Sequence, residues 1–402
     1  VALGSTVLAL GLLSPHEVGL LAIQAAISAW LFFTHAGVLN HIYNELPRLN
    51  QHDQKDARRL MLRSGIGAIL SFALPITIVG SVPFLIIFQS DLGNGQRVVE
   101  FFFAVVLTVL GTQWTQAKEC DVKAMGDAPA LARWNILQAF TGVAPLVLLT
   151  FLPPYPVFLF RAVLGHTALA IYLFSRGDLI FFSPRFAKIP EYIKGGLHLV
   201  VCQLLGVLIL QGERLLMGHK YGIVTVGELQ LYFLLQTGAQ LIPVTTINVW
   251  FPHARRDPTT VVLKRSIAKA LQFNFVTFSL LFIGSIICWL LLQREWVDVK
   301  FQVASRGLFL AAWIAPAYTF SSLLFVFMAR NRVLHFVLLQ TVVLLLQVVL
   351  YELGGNHWHH DTVMFARAGV LYAATFVCIM MALRLSRSEI DVHASPSDLP
   401  DD

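Results

Sequence analysis

Few residues in this 402-residue chain have the chemistry to act on a ligand, and most of them stand in apolar surroundings. Arg161, Arg306 and Arg367 lie inside or at the edge of long apolar runs. A charge left unpaired in such surroundings costs several kcal/mol, so it calls for a wet cavity or a partner. A guanidinium fork suits phosphate, which it binds bidentately; snorkelling to an interface is the other use of a long cationic side chain. Arg48 follows an apolar run and has two readings, a receiver for an anionic headgroup or a membrane anchor. His35 and His166 titrate near neutrality as a residue type and are candidates for proton coupling, against a plain packing role. Arg161 and His166 are five residues apart, about 140° around a helix, which does not make them an obvious pair. Glu213 and Arg214 are adjacent, point to different helix faces and read as an ionic network at an outer rim.

Other chemistry is sparse. The run His357-Trp358-His359-His360-Asp361 has zinc-binding residue types, but its spacing fits no standard motif, so neither a metal nor a cofactor is expected. Glu100, Glu119 and Glu352 lie near segment ends, which gives no buried carboxylate relay. Cys120, Cys202, Cys288 and Cys378 are scattered without disulfide or metal spacing. No phosphate-loop sequence of the GxxxxGK[ST] type is present, and no basic stripe suggests nucleic acid.

The elements that must position these residues are apolar helices. Hydrophobic residues make up 56% of the chain and charged residues 13%, too few to clothe a water-soluble enzyme. A helix needs about 20 apolar residues to cross the hydrocarbon core. Twelve segments meet or approach that length: 1–13, 18–42, 64–88, 98–117, 131–152, 156–175, 194–217, 224–251, 267–292, 303–328, 333–352 and 363–385. The first is short, begins at Val1 and reads as the remaining part of a first helix. With alternating spans, 21 of the 29 Lys and Arg fall on one side, which predicts cytoplasmic termini. Residues 43–63 read as an interfacial helix on that side, and 386–402 as a disordered polar tail.

Two stretches read alike. Val18-Gly19-Leu20 opens the second segment, which is followed by Leu46-Pro47-Arg48; Val226-Gly227-Glu228 opens the eighth, which ends at Trp250-Phe251-Pro252. The period is six helices. An even period predicts two lobes, 1–176 and 177–385, related by a pseudo-two-fold along the membrane normal.

Leu12-Leu13-Ser14-Pro15-His16-Glu17-Val18-Gly19-Leu20, Glu213-Arg214-Leu215-Leu216-Met217-Gly218, Gly227-Glu228-Leu229-Gln230-Leu231-Tyr232 and Phe251-Pro252 together resemble the O-antigen (Wzx-type) flippases. These form a branch of the multidrug/oligosaccharidyl-lipid/polysaccharide exporter superfamily. Glu213 stands where the family more often has Asp, and Glu228 and Leu229 where a small residue and Tyr are usual. The resemblance implies an alternating-access flippase in the bacterial inner membrane. Its substrate would be undecaprenyl-diphosphate-linked oligosaccharide for surface polysaccharide, its partners membrane lipids, a polysaccharide polymerase and the chain-length machinery. Arg161, Arg306, Arg367 and Arg48 would then meet the diphosphate. The alternatives are a small-molecule or drug exporter of the same superfamily, or a membrane polysaccharide polymerase or ligase.

Overall fold

The computed structural model describes residues 8–51, 55–124, 128–176, 188–239, 242, 246, 250, 259–293, 310–330, 332–355 and 357–387. All regular structure among them is helical, and nine helices are long and apolar enough to span a membrane. Nine of the twelve expected segments match these spans. Of the other three, 1–13 and 224–251 lie partly outside the described residues. The third, 131–152, changes from α-helix to 3₁₀ at Ala144, beside Pro145, and so lacks a helix of spanning length. The fold is the all-α, multi-span class that the sequence predicts. The polar tail from residue 388 on lies outside the described residues.

Packing divides the chain into two units, Val1–Gln230 and Leu231–Asp402. The expected division at 176/177 counts helices, whereas packing groups by burial: the helices just after residue 176 bury their faces on the first ones.

In the first unit, α1 (Pro15–Leu31) shows why its opening motif has that form. Ser14 caps the helix, Glu17 reaches back to the Ser14 amide at 3.0 Å, and Pro15 occupies the first turn, where an amide is not needed. The expected continuous helix 18–42 is not formed. A 3₁₀ turn, Phe32–His35, follows α1, and Ala36 (φ 49°) and Gly37 (φ 101°) then take left-handed conformations. Side chains satisfy the groups freed at this break: Gln113 donates to the Phe32 carbonyl at 2.7 Å and Thr34 to that of Leu31 at 2.7 Å. Gly37 is required there, because a Cβ would lie 2.7 Å from the Gly196 carbonyl carbon.

The chain resumes as α2 (Val38–Gln51), whose buried stripe is Val38, Leu39, Ile42 and Leu46. The helix α3 (Lys55–Leu92) has 38 residues and contains Pro75 and Pro83. At 1.5 Å per residue it runs to about 57 Å, so it must extend beyond a hydrocarbon core of about 30 Å. Residues 52–54 lie outside the described residues, and the rest of 43–63 belongs to α2 and to the first turns of α3. Those turns carry Arg58, whose Nη2 and Nε reach Asp121 Oδ1 at 2.7 and 2.8 Å on α4 (Gly95–Ala124). Lys118 holds the other oxygen of Asp121 at 3.2 Å. The unit continues with α5 (Ala128–Val143), α6 (Pro154–Ser175), α7 (Ile189–Tyr221) and α8 (Ile223–Glu228).

The two glycines of the sequence repeat meet in space. A Cβ on Gly227 would strike the Pro15 carbonyl oxygen, and one on Gly19 the Ile223 carbonyl oxygen, so α1 and α8 cross backbone to backbone. Small residues permit such approaches in a membrane, where packing rather than water exclusion holds helices together.

The second unit contains α9 (Thr260–Gln293), the span Leu310–Ala329, α10 (Val333–Gly354) and α11 (His360–Arg387). The span Leu310–Ala329 turns 3₁₀ over Ala315–Tyr318, at Pro316. Its carbonyls are met by α11: Tyr372 donates to the Trp313 oxygen and Thr375 to the Ala317 oxygen. Phe320, Phe325, Phe327, Phe336 and Tyr351 are fully buried, while Leu338, Leu345, Leu353 and Phe376 are exposed as lipid-facing side chains would be.

Candidate functional site: polar cavities around Arg161

The helix α6 presents Ala162, Gly165, His166 and Leu169 at helical spacing to a cavity of ≈ 430 Å³, and Arg161 flanks that face. The small side chains of Ala162 and Gly165 leave the space. The far wall is polar: Thr112, Thr115 and Gln116 from α4, and Asn135, Gln138 and Thr141 from α5. Arg161 also borders a second cavity of ≈ 190 Å³, with Gln24 and Ser28 of α1, Thr108 of α4 and Gln230 around it. The first unit thus places one guanidinium between two polar spaces.

The second space holds unused hydrogen-bonding capacity. Ser28 Oγ, Thr108 Oγ1 and Gln230 Oε1 are buried and make no hydrogen bond among the described residues. Groups of this kind cost free energy unless water or a ligand meets them. Gln24 is already engaged, donating to the Leu159 carbonyl at 3.0 Å. Among the described residues lining either cavity there is no Asp or Glu.

His166 is held on three sides. Its ring lies on Gly111, where a Cβ would stand 2.7 Å from the ring Cγ. Thr115 Oγ1 is 2.9 Å from Nδ1, and Thr112 Oγ1 is 3.3 Å from Nε2. Each threonine is also placed to donate to the carbonyl four residues back, Gly111 and Thr108. A hydroxyl has one proton. If both threonines keep their backbone bonds, a neutral ring can donate to only one of them, and both contacts are hydrogen bonds only when both ring nitrogens carry a proton or one hydroxyl turns. The sequence spacing separates Arg161 from His166, yet both line the larger cavity, because the cavity is wide enough to span two adjacent rows of α6.

His35 has different surroundings. Its Nδ1 accepts the Gly37 amide at 3.1 Å within the break after α1, and the ring is buried against Phe32 and Phe33. An imidazolium nitrogen cannot accept that bond. The geometry makes His35 a brace for the turn.

Arg367 is fully buried in the second unit, with its Nη atoms 3.4 Å from Tyr232 Oη and 3.2 Å from Tyr318 Oη. It does not reach the surface as a snorkelling arginine would. Glu213 and Arg214 on α7 are also buried, Glu213 completely. Arg306 lies outside the described residues; so does the side chain of Arg48, whose backbone belongs to α2. Sequence reading missed Asp121 altogether. Its signal was the i, i+3 spacing to Lys118 at the end of an apolar run.

No protein-family model and no curated protein sequence matches the chain. Solved structures do. The inward-facing conformation of a multidrug resistance MATE family transporter of the MOP superfamily superposes with a TM-score of 0.66 at 14% identity, over 93% of this chain and 91% of that one. An outward-facing conformation of a transporter so described gives 0.62 at 14% identity, over 96% and 92%. A MATE in complex with Br-NRF gives 0.58 at 15% identity, over 95% and 90%. At these identities the likeness is one of fold, and nearly the whole of this multi-pass membrane chain has the fold of the MATE transporters, twelve helices in two lobes.

Proposed function

We propose that the chain is an alternating-access transporter that carries lipid-diphosphate-linked oligosaccharide units from the cytoplasmic to the outer leaflet of a bacterial inner membrane. The observation that carries this reading is Arg161, set between two cavities in whose partly apolar walls hydroxyls and amides are placed. A guanidinium suits the phosphate, and Ser28, Thr108 and Gln230 suit sugar hydroxyls. That similar folds have been captured both inward- and outward-facing favours alternating access. Arg367, buried against two tyrosine hydroxyls, is a second buried cation, in the second unit.

A second reading is drug export, because similar folds include multidrug resistance transporters. A cationic drug needs an acidic counter-charge, and none is among the described residues that line either cavity. The experiment is reconstitution into vesicles with a labelled lipid-linked oligosaccharide in one set and a cationic dye in another. Protein-dependent movement of the sugar lipid without covalent change supports the flippase. Movement of the dye alone overturns it in favour of drug export, and elongation of the sugar overturns it in favour of a polymerase.

A further inference from the structure

The turn between α10 and α11 gathers three potential metal ligands that the sequence spacing alone does not join. His359 Nδ1 lies 3.5 Å from Asp361 Oδ2, and His360 Nε2 lies 3.3 Å from Asp361 Oδ1. One ligand atom from each of the three residues falls within 4.8 Å of the other two. The two imidazole rings face each other with centroids 3.9 Å apart.

The two His–Asp separations end on different oxygens of the Asp361 carboxylate; each is close to a ligand–ligand edge around a small divalent ion, and one ion would draw the three ligand atoms in from within 4.8 Å of one another. Zinc bonds nitrogen and carboxylate oxygen at about 2.0–2.2 Å, and the edge of a tetrahedron on bonds of that length is about 3.3–3.5 Å. Two imidazoles and a carboxylate are a donor set that zinc and its borderline neighbours prefer; calcium and magnesium prefer oxygen alone. With three protein ligands, a fourth position is left for water.

The backbone holds the three residues in place. The Trp358 amide donates to the Gly354 carbonyl at 2.7 Å, and the Trp358 ring lies on Gly354, where a Cβ would be 2.8 Å away. The His359 carbonyl accepts the Thr362 amide at 2.9 Å and so begins α11. Asp361, in the first turn, also offsets the positive end of that helix, which would otherwise repel a cation. His357 stands outside the group, on the far side of Trp358 in sequence.

We propose that His359, His360 and Asp361 form a binding site for a divalent transition metal of the zinc class, fastening the start of α11. Arg367 follows His360 by seven residues, about 10 Å along the same helix, so an occupied site would stiffen the end of α11 nearest that buried arginine.

The test is calorimetric titration of tag-free, detergent-purified full chain with zinc, and with cobalt followed by visible absorption. One ion per chain is expected, with a cobalt spectrum of four-coordinate type and a raised thermal midpoint. His360→Ala and Asp361→Asn should each weaken binding by about tenfold or more, and His357→Ala should leave it unchanged. A hundredfold excess of magnesium or calcium should not compete. Absence of saturable zinc binding to a folded wild-type chain overturns the proposal, as does binding that persists unchanged in the His359→Ala/His360→Ala/Asp361→Asn variant. Each variant is checked for folding by circular dichroism and for elution as wild type. Transport is not part of the readout, so the result is independent of the substrate reading.

Discussion

Replacing Asp121 by Asn removes a carboxylate that joins the basic start of α3 to the end of α4. The Asp121 side chain is 6% exposed, and two cations converge on it, Arg58 at 2.7 Å and Lys118 at 3.2 Å. Removing one partner of a buried ion pair costs about 3–5 kcal/mol, because the remaining charge stays desolvated. Arg58 and Lys118 are 18% and 17% exposed, so each can turn partly to water, which puts the expected loss near the lower end, about 3 kcal/mol. That corresponds to about a hundredfold or more in the unfolding equilibrium. The assay is reversible unfolding in detergent or bicelles, with Arg58→Ala, Asp121→Ala and the double variant completing a cycle. A coupling energy above about 1 kcal/mol is expected, and it should change little between low and high salt because the pair is sheltered. Additive single variants, with a coupling near zero, would refute the claim that this clamp ties α3 to α4.

Further expectations follow from the close contacts. Gly227→Val should block the α1–α8 crossing and give protein that aggregates or elutes abnormally, read by size-exclusion chromatography, whereas Gly238→Val, with open space at its Cβ, should not. His35→Asn keeps an acceptor for the Gly37 amide and His35→Ala does not, so alanine should cost about 1 kcal/mol more in thermal stability. Gly111→Ala should displace the His166 ring and alter any pH dependence of transport while leaving the chain folded. If transport is driven by the membrane potential, two outward-moving diphosphate charges gain up to about 4–5 kcal/mol per 100 mV; vesicles with the potential and pH gradient set separately decide this. A rate that follows only the pH gradient would transfer the coupling role to His166.

Most of the fold was legible because apolar run length is a coarse signal that the lipid solvent enforces. The Pro-Gly-Asn punctuation placed most helix ends within a few residues. Helix breaks were not legible. Phe32–Gly37 and Ala315–Tyr318 sit inside runs apolar enough to read as continuous, and the groups that permit the breaks come from distant elements: Gln113 for the first, Tyr372 and Thr375 for the second. Gly19 and Gly227 were visible as a repeat but not as a contact, because periodicity says nothing of which faces meet. At the site, Arg161 and Arg367 stood out as charges among apolar residues. The polar partners did not: single Thr, Ser and Gln residues in apolar helices are common, and only packing shows that Ser28, Thr108 and Gln230 converge on one space. The His359–Asp361 group was discounted for its spacing, yet three consecutive residues converge because the helix begins between them.

The most direct test of the central claim is the translocation rate of a labelled lipid-diphosphate oligosaccharide in vesicles carrying wild type, Arg161→Lys or Arg161→Ala. Lysine keeps the charge and loses the fork. A phosphate contact at Arg161 predicts that lysine slows translocation by about tenfold, for the loss of one charge-assisted hydrogen bond of about 1.5 kcal/mol, and that alanine abolishes it. Equal rates in all three, with protein folded and correctly inserted, would contradict the assignment of the Arg161 cavities to the diphosphate.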